Sequence, residues 1–213
     1  SVGGGALSEG KGKDDMFYTE PVYELSTLKA IQHWCEESGR GFWEYTDECE
    51  GPEIWDYLHE VWLMMCNAVE RGLENDGVLP GPLKLSRKAS NYYIKALSYR
   101  SSLQSRGLVY AYALAVSEEN ASGGTIVTAP TCGSCGVMPG VLYHLAKAHQ
   151  FSERKILRAL ATAGLFGNVV KANASISGAE VGCQGEVGVA CAMASAAACQ
   201  LFGGTPSQIE YAA

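Results

Sequence analysis

Apolar residues recur at helical spacing along most of the chain, and this pattern predicts a protein built from helices. In the first such segment, about Ser26 to Glu37, they lie three or four residues apart, and Gly39 ends the run. Pro52 suits the first turn of the next helix, which extends to Gly72. Further helices are predicted at about Ser86–Leu103, Gly107–Glu119, Pro139–His149, Ser152–Val170 and through a small-residue stretch up to Phe202. The predicted class is therefore all-α.

Two polar, glycine-rich loops interrupt this pattern, at residues 128–136 (TAPTCGSCG) and 171–186 (KANASISGAEVGCQGE), and a short β-prone run at 125–128 leads into the first. Glycine allows backbone N–H groups to approach a ligand closely. Asn, Ser and Thr supply uncharged donors and acceptors for a small polar molecule. The pattern predicts a compact helical domain with a binding site in two loops between buried helices. Helix caps and tight turns are the alternative interpretation of the same residues.

The chain contains eight cysteines, at positions 35, 49, 66, 132, 135, 183, 191 and 199. No secretory signal segment is visible, so we expect a cytoplasmic protein whose thiols either pack as small apolar groups or bind metal. Cys35, Cys66, Cys191 and Cys199 lie in helical patterns and are predicted to be core residues. The last two are eight residues apart, and are predicted to share one face of the small-residue helix.

The remaining candidate thiols lie in the two loops. Cys132 and Cys135 form a single CxxC, a weak signal because a zinc site usually needs a second pair and a redox dithiol needs a βαβ context. Cys183 lies between Gly182 and Gly185 at a predicted helix start. There a thiol is exposed, and the helix dipole favours its thiolate form. The four histidines show no metal-ligand spacing.

Composition narrows the function classes. With 47% hydrophobic and 18% charged residues, the chain is an ordinary globular protein. A net charge of −7 and a pI near 5.1 argue against a nucleic-acid partner. The uncharged stretch from Val187 to Pro206 is long enough to cross a membrane, but Gly, Ala and Ser dominate it. We therefore interpret it as a buried helix with no membrane contact.

The two ends of the chain carry expectations of their own. Residues 1–20, glycine-rich and then charged, are interpreted as an interdomain linker or the end of a preceding αβ domain, which leaves 21–213 as one helical domain. Thr205, Pro206 and Gln208 form the start of a helix with a capping box. Few residues follow, and so short a helix is not stable alone. We therefore expect the natural chain to continue.

The run KANASISGAEVGCQGEVGVACAM resembles the signature of the bacterial iron–sulfur-dependent L-serine dehydratases. The segments ENASGGTIVTAPTCGSCGVMPGVL, ERGLENDGVLPGPL and SVGGG support the resemblance, which covers essentially the whole chain. In that family SVGGG lies near the junction between an αβ domain and the helical catalytic domain. The resemblance implies a single-chain enzyme, which we expect to be a homodimer when intact.

The resemblance also implies a [4Fe–4S] cluster held by three cysteines, with one iron left open. The family's first ligand falls on Cys183, and the other two are expected beyond Ala213, so we expect this chain alone to lack the cluster. The family usually has Asn at position 132, so Cys132 departs from its pattern. Cys135 matches a family cysteine that is not assigned to the cluster. Both remain alternative ligands.

The implied reaction converts L-serine to pyruvate and ammonia. A Lewis-acidic iron eases departure of the β-hydroxyl while a base removes the α-proton. The family's proposed base is a histidine of the N-terminal domain, so none is assigned here. Candidates for holding substrate or ordering the cluster loop are Thr128, Thr131, Lys171, Asn173, Ser175, Ser177 and Gly178.

Two other functions remain open. A pyridoxal-phosphate serine or threonine dehydratase would need an α/β fold and a Schiff-base lysine, which the all-α pattern does not supply. The chain could instead be a non-catalytic helical fragment with an assembly or regulatory role.

Overall fold

The computed structural model describes residues 22–213, and within them the chain folds into nine α-helices and one short 3-10 turn. The all-α prediction is confirmed for this part of the chain. The helices are α1 (Leu28–Ser38), α2 (Phe42–Glu50), α3 (Ile54–Glu74), α4 (Ala89–Leu97), α5 (Ser101–Ala121), α6 (Val137–His149), α7 (Glu153–Asn173), α8 (Gly178–Leu201) and α9 (Pro206–Ala212), with the 3-10 turn at Cys132–Ser134.

The helix starts and stops follow the expected local chemistry. Gly39 ends α1 in the left-handed conformation, with φ of 69°. The side chain of Thr27 accepts a hydrogen bond from the N–H of Ala30 at the start of the same helix. At α9 the predicted capping box is confirmed, since Thr205 and Gln208 exchange side-chain bonds with each other's backbone N–H.

Two boundaries differ from the sequence prediction. Helix α2 was not predicted, although it buries Phe42 and Tyr45 against the core. The single helix predicted up to Leu103 is divided by a break at residues 98–100, and α5 begins at Ser101. Gly107, expected to start a helix, lies inside α5. A Cβ there would be 2.8 Å from that of Ala96, so glycine lets α4 and α5 pack closely.

The helices form two groups that share α6. Helix α5 packs against α3, α4 and α6, whereas α8 packs against α6, α7 and α9. Between the groups lies one continuous apolar core, in which Met65, Leu142, Ile156 and Leu165 are almost fully buried. Burying a side chain of this size stabilises the fold by about 1.5–3 kcal/mol. The core therefore fixes the helix ends between which both loops lie.

Helix α5 is approached very closely from two sides. At Gly72 of α3, a Cβ would lie 2.3 Å from the carbonyl oxygen of Ala115. At Gly136, just before α6, a Cβ would lie 2.2 Å from the carbonyl oxygen of Ala113. Both neighbours are backbone atoms, which cannot rotate away. These two glycines therefore allow α3 and the start of α6 to contact the backbone of α5 directly.

Two adjacent carboxylates near the end of α5 hold the segment between α3 and α4. Glu118 accepts hydrogen bonds from the backbone N–H of Lys88 at 2.6 Å and of Ala89 at 3.4 Å, at the start of α4. Glu119 pairs with Arg71 at 3.2 Å and Arg87 at 3.1 Å. Its hydrogen bond from Asn75, at 3.0 Å, completes a buried network.

Three remaining expectations concern the chain ends and the membrane. Helix α9 is short, but Ile209 is buried and the helix packs against α8 and α1. The expectation for residues 1–20 lies outside the described residues. Within 22–213, no helix combines the length and apolar character needed to cross a membrane. The stretch from Val187 to Pro206 belongs mainly to α8, as predicted.

Replacement of Gly72 by alanine tests the close contact with α5. We expect Gly72→Ala to lower the free energy of unfolding by about 1–3 kcal/mol, because the new methyl group overlaps the Ala115 carbonyl. Gly164→Ala in α7 is the matched control, since no atom lies within 4 Å of its added Cβ. That change should raise stability by up to about 1 kcal/mol. Urea unfolding monitored by circular dichroism measures both, and equal effects would contradict the packing argument.

Glu119 predicts an acid-sensitive contribution to stability. Burial raises the pKa of its carboxyl, but hydrogen bonds from Asn75, Arg71 and Arg87 outweigh burial and hold the pKa below its usual value. The resulting stabilisation is complete above the carboxyl's unfolded pKa and is lost as the pH falls through the lower folded value. Glu119→Gln should cost about 2 kcal/mol or more at neutral pH, because it leaves Arg87 unpaired.

Urea unfolding between neutral pH and about pH 3 measures this contribution. The difference in unfolding free energy between wild type and Glu119→Gln should narrow in acid. A constant difference across that range would show that the ionised carboxylate is not the stabilising group.

Candidate functional site

The predicted second loop, residues 171–186, was wrong in extent: α7 continues to Asn173 and α8 begins at Gly178, so only residues 174–177 form a loop, because packing between α7 and α8 overrides the weak helix propensity of its glycines and polar residues. The first loop, residues 128–136, is joined to α8 by a buried carboxylate, that of Glu186. Thr131, at the start of the 3-10 turn, donates a hydrogen bond from Oγ1 to Glu186 Oε2 at 2.7 Å. Glu186 is only 7% exposed and Thr131 only 4%. The hydroxyl–carboxylate bond therefore fixes the first loop against α8 in a place from which water is largely excluded.

Glycines leave room for this carboxylate on both sides. A Cβ at Gly133, in the first loop, would lie 2.2 Å from Glu186 Oε1. A Cβ at Gly178, the first residue of α8, would lie 2.5 Å from Glu186 Oε2. The carboxylate therefore lies between the two loops. No ion pair joins Glu186 to a basic side chain in the part of the chain described.

The first loop is also anchored to α5. The side-chain amide of Asn120 donates to the carbonyl oxygen of Cys132 at 2.9 Å. Inside the loop, the hydroxyls of Thr131 and Ser134 lie 3.3 Å apart, and both side chains are buried. Together with the close contact of Gly136, these bonds give the loop a defined position relative to the helices.

Helix α8 is broken at Gly182, whose φ of 73° and ψ of 172° are not helical. A side chain would be strained at this φ, so the break depends on glycine. Helical geometry resumes at Cys183, which is exposed. The prediction that this thiol lies at a helix start and faces solvent agrees with the break. Its role as a ligand stays a prediction.

The two thiols of the CxxC differ in environment. Cys135 is 1% exposed, and burial, followed by the nearby Cys132, raises its pKa to about 11. Cys132 is exposed. Metal coordination requires thiolate, which the surroundings of Cys135 disfavour. Within residues 22–213, no three side chains among His, Cys, Asp and Glu are grouped so that they could hold a metal ion.

The candidate substrate residues fall into two groups. Thr128 and Lys171 are exposed. Thr131, Asn173 and Ser175 have side-chain hydrogen bonds within the protein, although Asn173 is also exposed. Asn173 donates to the carbonyl oxygens of Ser26 at 2.6 Å and Val169 at 2.8 Å. The hydroxyl of Ser175 bonds to a carboxylate oxygen of Glu180 and also accepts from the N–H of Ser177 at 3.1 Å.

This division separates possible contacts to a ligand from contacts that order the loops. Thr131 bonds Glu186, Ser177 is 7% exposed, and Gly178 provides space beside the same carboxylate. Thr128 also lines an apolar cavity of about 450 Å³, together with Met64, Met65, Met138 and Met193. The seven candidates therefore lie in or beside the two loops, but they do not form a single cluster of free polar groups.

The described histidines are all engaged elsewhere. His144 is 9% exposed and lies 2.6 Å from the hydroxyl of Ser105, and burial lowers its pKa. His33 and His59 face Glu37 and Glu153 at 3.2 and 3.1 Å. His149 stacks on Phe151 with ring centroids 5.5 Å apart.

The core prediction for the cysteines of α8 was wrong for Cys191. Its side chain is exposed, because the buried face of this part of the helix carries residues 189, 190, 193, 194, 196 and 197. Cys199 is half-buried beneath the turn that follows α8, where a Cβ at Gly204 would lie 2.4 Å from its Sγ. Cys35 is buried as predicted, and Cys66 is half-buried. All eight thiols are free.

Glu186 was missed by the sequence reasoning, although a signal was present. It is an acid one turn after Cys183, at the start of a helix made almost wholly of small residues. An acid in such a stretch indicates either a solvated position or a buried carboxylate with a specific partner. The partner, Thr131, is 55 residues away and could not be found from spacing.

Comparison with known proteins identifies relatives over the whole chain. A family model described as serine dehydratase alpha chain matches residues 21–213. An L-serine dehydratase of Haemophilus influenzae is 40% identical over 100% of this chain and 50% of its own length. L-serine dehydratase 1 of Escherichia coli gives the same values, and an L-serine dehydratase of Streptomyces coelicolor is 40% identical over 49% of its length. The chain thus spans about half the length of these curated relatives.

The environments of the thiols predict an order of reactivity. Cys132, Cys183 and Cys191 are exposed and should be alkylated by iodoacetamide rapidly in the native protein. Cys35 and Cys135 are buried, with the pKa of each raised to about 11, chiefly by burial, so we expect rates slower by about 100-fold or more. Peptide mapping by mass spectrometry gives the rates. Labelling in urea is the control, and rapid native labelling of Cys135 would contradict its buried position.

Proposed function

The chain belongs to the serine dehydratase alpha-chain family, and we propose that it supplies the helical catalytic domain of an L-serine dehydratase. The proposed reaction converts L-serine to pyruvate and ammonia. The observation that carries the proposal is the similarity to L-serine dehydratases over the full chain, which includes both polar loops. Within the matched region, the exposed thiol of Cys183 at the break in α8 is the group to which we assign chemistry.

We propose that Cys183 is one ligand of a [4Fe–4S] cluster. Its thiol is exposed, and iron clusters take thiolate ligands. Since no group of three ligands occurs in residues 22–213, we propose that the two further cysteines belong to the whole protein beyond Ala213. When bound, the cluster would supply a Lewis acid for departure of the serine β-hydroxyl. Of the two alternative ligands, Cys132 is exposed, whereas the burial of Cys135 argues against it.

In this proposal the chain's own residues bind substrate and shape the site. Lys171 can pair with the substrate carboxylate, and Thr128 can donate or accept a hydrogen bond, because both are exposed. Thr131, Asn173, Ser175 and Ser177 are better placed to order the loops. Gly178 contributes space beside Glu186.

The base that removes the α-proton is proposed to come from the other half of the intact protein. The described histidines already contact other side chains, and none lies in the two loops. We further propose that the whole protein is a cytoplasmic homodimer without nucleic-acid or membrane partners. The eight free thiols support a cytoplasmic location. The acidic charge argues against a nucleic-acid partner.

The two alternative functions receive less support. A pyridoxal-phosphate enzyme would need an α/β scaffold, and residues 22–213 contain helices and a single isolated β-bridge. A non-catalytic fragment would have no need for an exposed cysteine between glycines at a helix break. Visible absorbance of the anaerobically purified full-length protein separates an iron–sulfur centre from an internal aldimine.

Substitution of Cys183 in the full-length protein tests the proposal. Cys183→Ser should abolish pyruvate formation and leave the helical circular dichroism spectrum unchanged, because a hydroxyl seldom replaces a thiolate at an iron cluster. Cys191→Ser is the matched control, an exposed cysteine eight residues later in the same helix, and should retain activity. Near-normal turnover by Cys183→Ser in anaerobic assays would exclude it as a ligand.

A second variant separates the two loops. Cys132→Asn introduces the residue usual in the family and should keep most activity. If Cys132→Asn were inactive while Cys183→Ser remained active, the metal would belong to the CxxC loop. Iron and sulfide content, measured alongside activity, distinguishes loss of the metal from loss of substrate binding.

A further inference from the structure

Glu186 is buried with a single hydrogen-bond partner. Removing a carboxyl group from water is unfavourable unless it is paired or well hydrogen-bonded. Glu118 and Glu119 meet this cost with backbone N–H groups and arginines. Glu186 has instead the single hydroxyl of Thr131 at 2.7 Å, with glycines shaped around it. A buried carboxyl group with so few partners indicates a role other than packing.

Glu186 lies close to residues on both sides of the break in α8. Gly178 lies before the break at Gly182, and Glu186 lies after it, yet the carboxylate contacts the space beside Gly178. The same carboxylate reaches Thr131 and Gly133 in the first loop. A non-helical glycine alone would allow the two parts of α8 to change their angle. The carboxylate lies where both parts of α8 approach the first loop.

Cys183 lies within this arrangement. It is three residues before Glu186, and residues at this separation share one face of a helix. The face of α8 that carries Glu186 therefore also carries Cys183, whose side chain is exposed. Any change in the angle at Gly182 would move this thiol relative to Thr128 and the rest of the first loop.

We propose that Glu186 is a positioning residue whose carboxylate, held by Thr131, sets the position of the Cys183 thiol relative to the 128–136 loop. This inference rests on the proposed role of Cys183 as a cluster ligand. Glu186 contacts neither substrate nor metal in this proposal. It acts through the geometry of the loop and helix that it joins.

The test compares Glu186→Ala with Glu186→Gln in the full-length protein. Glutamine has nearly the same size, and its amide oxygen can still accept the Thr131 hydrogen bond. Two quantities are measured under anaerobic conditions. One is the rate of alkylation of Cys183 by iodoacetamide in metal-free protein, and the other is the rate at which reconstituted protein loses iron to a chelator.

We expect Glu186→Ala to lose iron about 10-fold faster than wild type, the usual scale when a group that orients a ligand is removed. It should also change the Cys183 alkylation rate about threefold or more as the thiol leaves its fixed position. Glu186→Gln should remain within about twofold of wild type in both measurements. If Glu186→Gln also lost iron about 10-fold faster and changed the Cys183 alkylation rate, positioning through the Thr131 hydrogen bond would be overturned.

Thr131→Val and Thr131→Ser provide the second pair. Valine keeps the shape of threonine but lacks the hydroxyl, so it should reproduce both effects of Glu186→Ala, whereas serine restores the donor and should rescue them. This pair decides the question even where Glu186→Ala fails to fold.

Glu118→Gln is the control for general destabilisation, since this carboxylate is equally buried but caps α4. It should lower the thermal midpoint and leave iron loss and Cys183 alkylation unchanged. If Glu186→Ala lowers the thermal midpoint in the same way and changes neither of the other measurements, Glu186 is purely structural and the inference is wrong.

The alkylation measurement also separates this inference from the proposed function. If wild-type protein takes up no iron, the cluster proposal fails, and the Cys183 rates alone decide the role of Glu186. An altered rate in Glu186→Ala then supports positioning of the thiol. An unaltered rate overturns it.

Discussion

Direct backbone contact with α5 is the constraint on which the rest of this fold depends. Gly72 and Gly136 bring α3 and the start of α6 against the carbonyl groups of Ala115 and Ala113, so no side chain separates these elements. Backbone contacts cannot be relieved by a change of rotamer, and the spacing between these elements is therefore nearly rigid. Gly136 also lies two residues after the end of the 3-10 turn, so the first loop takes its position from helix packing.

Buried carboxylates then fix the segments that the helices leave free, and each does so with different chemistry. Glu118 binds backbone N–H groups, Glu119 binds two arginines and an asparagine, and Glu186 binds one hydroxyl. The first two act where the connection between α3 and α4 crosses α5, a purely architectural task. The third acts between the two glycine-rich loops, where a buried carboxyl group with one hydroxyl partner lies three residues after the exposed Cys183.

The sequence predicted the helices well where the apolar spacing was regular and failed where tertiary contacts decide. The helix at Phe42–Glu50 has only nine residues and no clear period, and its burial depends on packing against α7. The first polar loop was recognised from its composition, the second was predicted too long, and the assignment of Cys183 required resemblance to a family. Cys191 was misplaced because alanine, glycine and cysteine give no contrast between the two faces of a helix. Glu186 was missed because its partner is distant in sequence.

Because Cys191 is exposed, a label attached to it can report distances along α8. A thiol eight residues after Cys183 lies about 12 Å farther along the helix axis, on a stretch whose other side is anchored in the core. A nitroxide attached there would sit at a known offset from the break at Gly182. Any paramagnetic centre that forms near that break would broaden the nitroxide signal according to its distance. The same outward cysteine that contradicted the packing pattern thus offers a spectroscopic probe of the site, once the other exposed thiols, Cys132 and Cys183, are protected from the label.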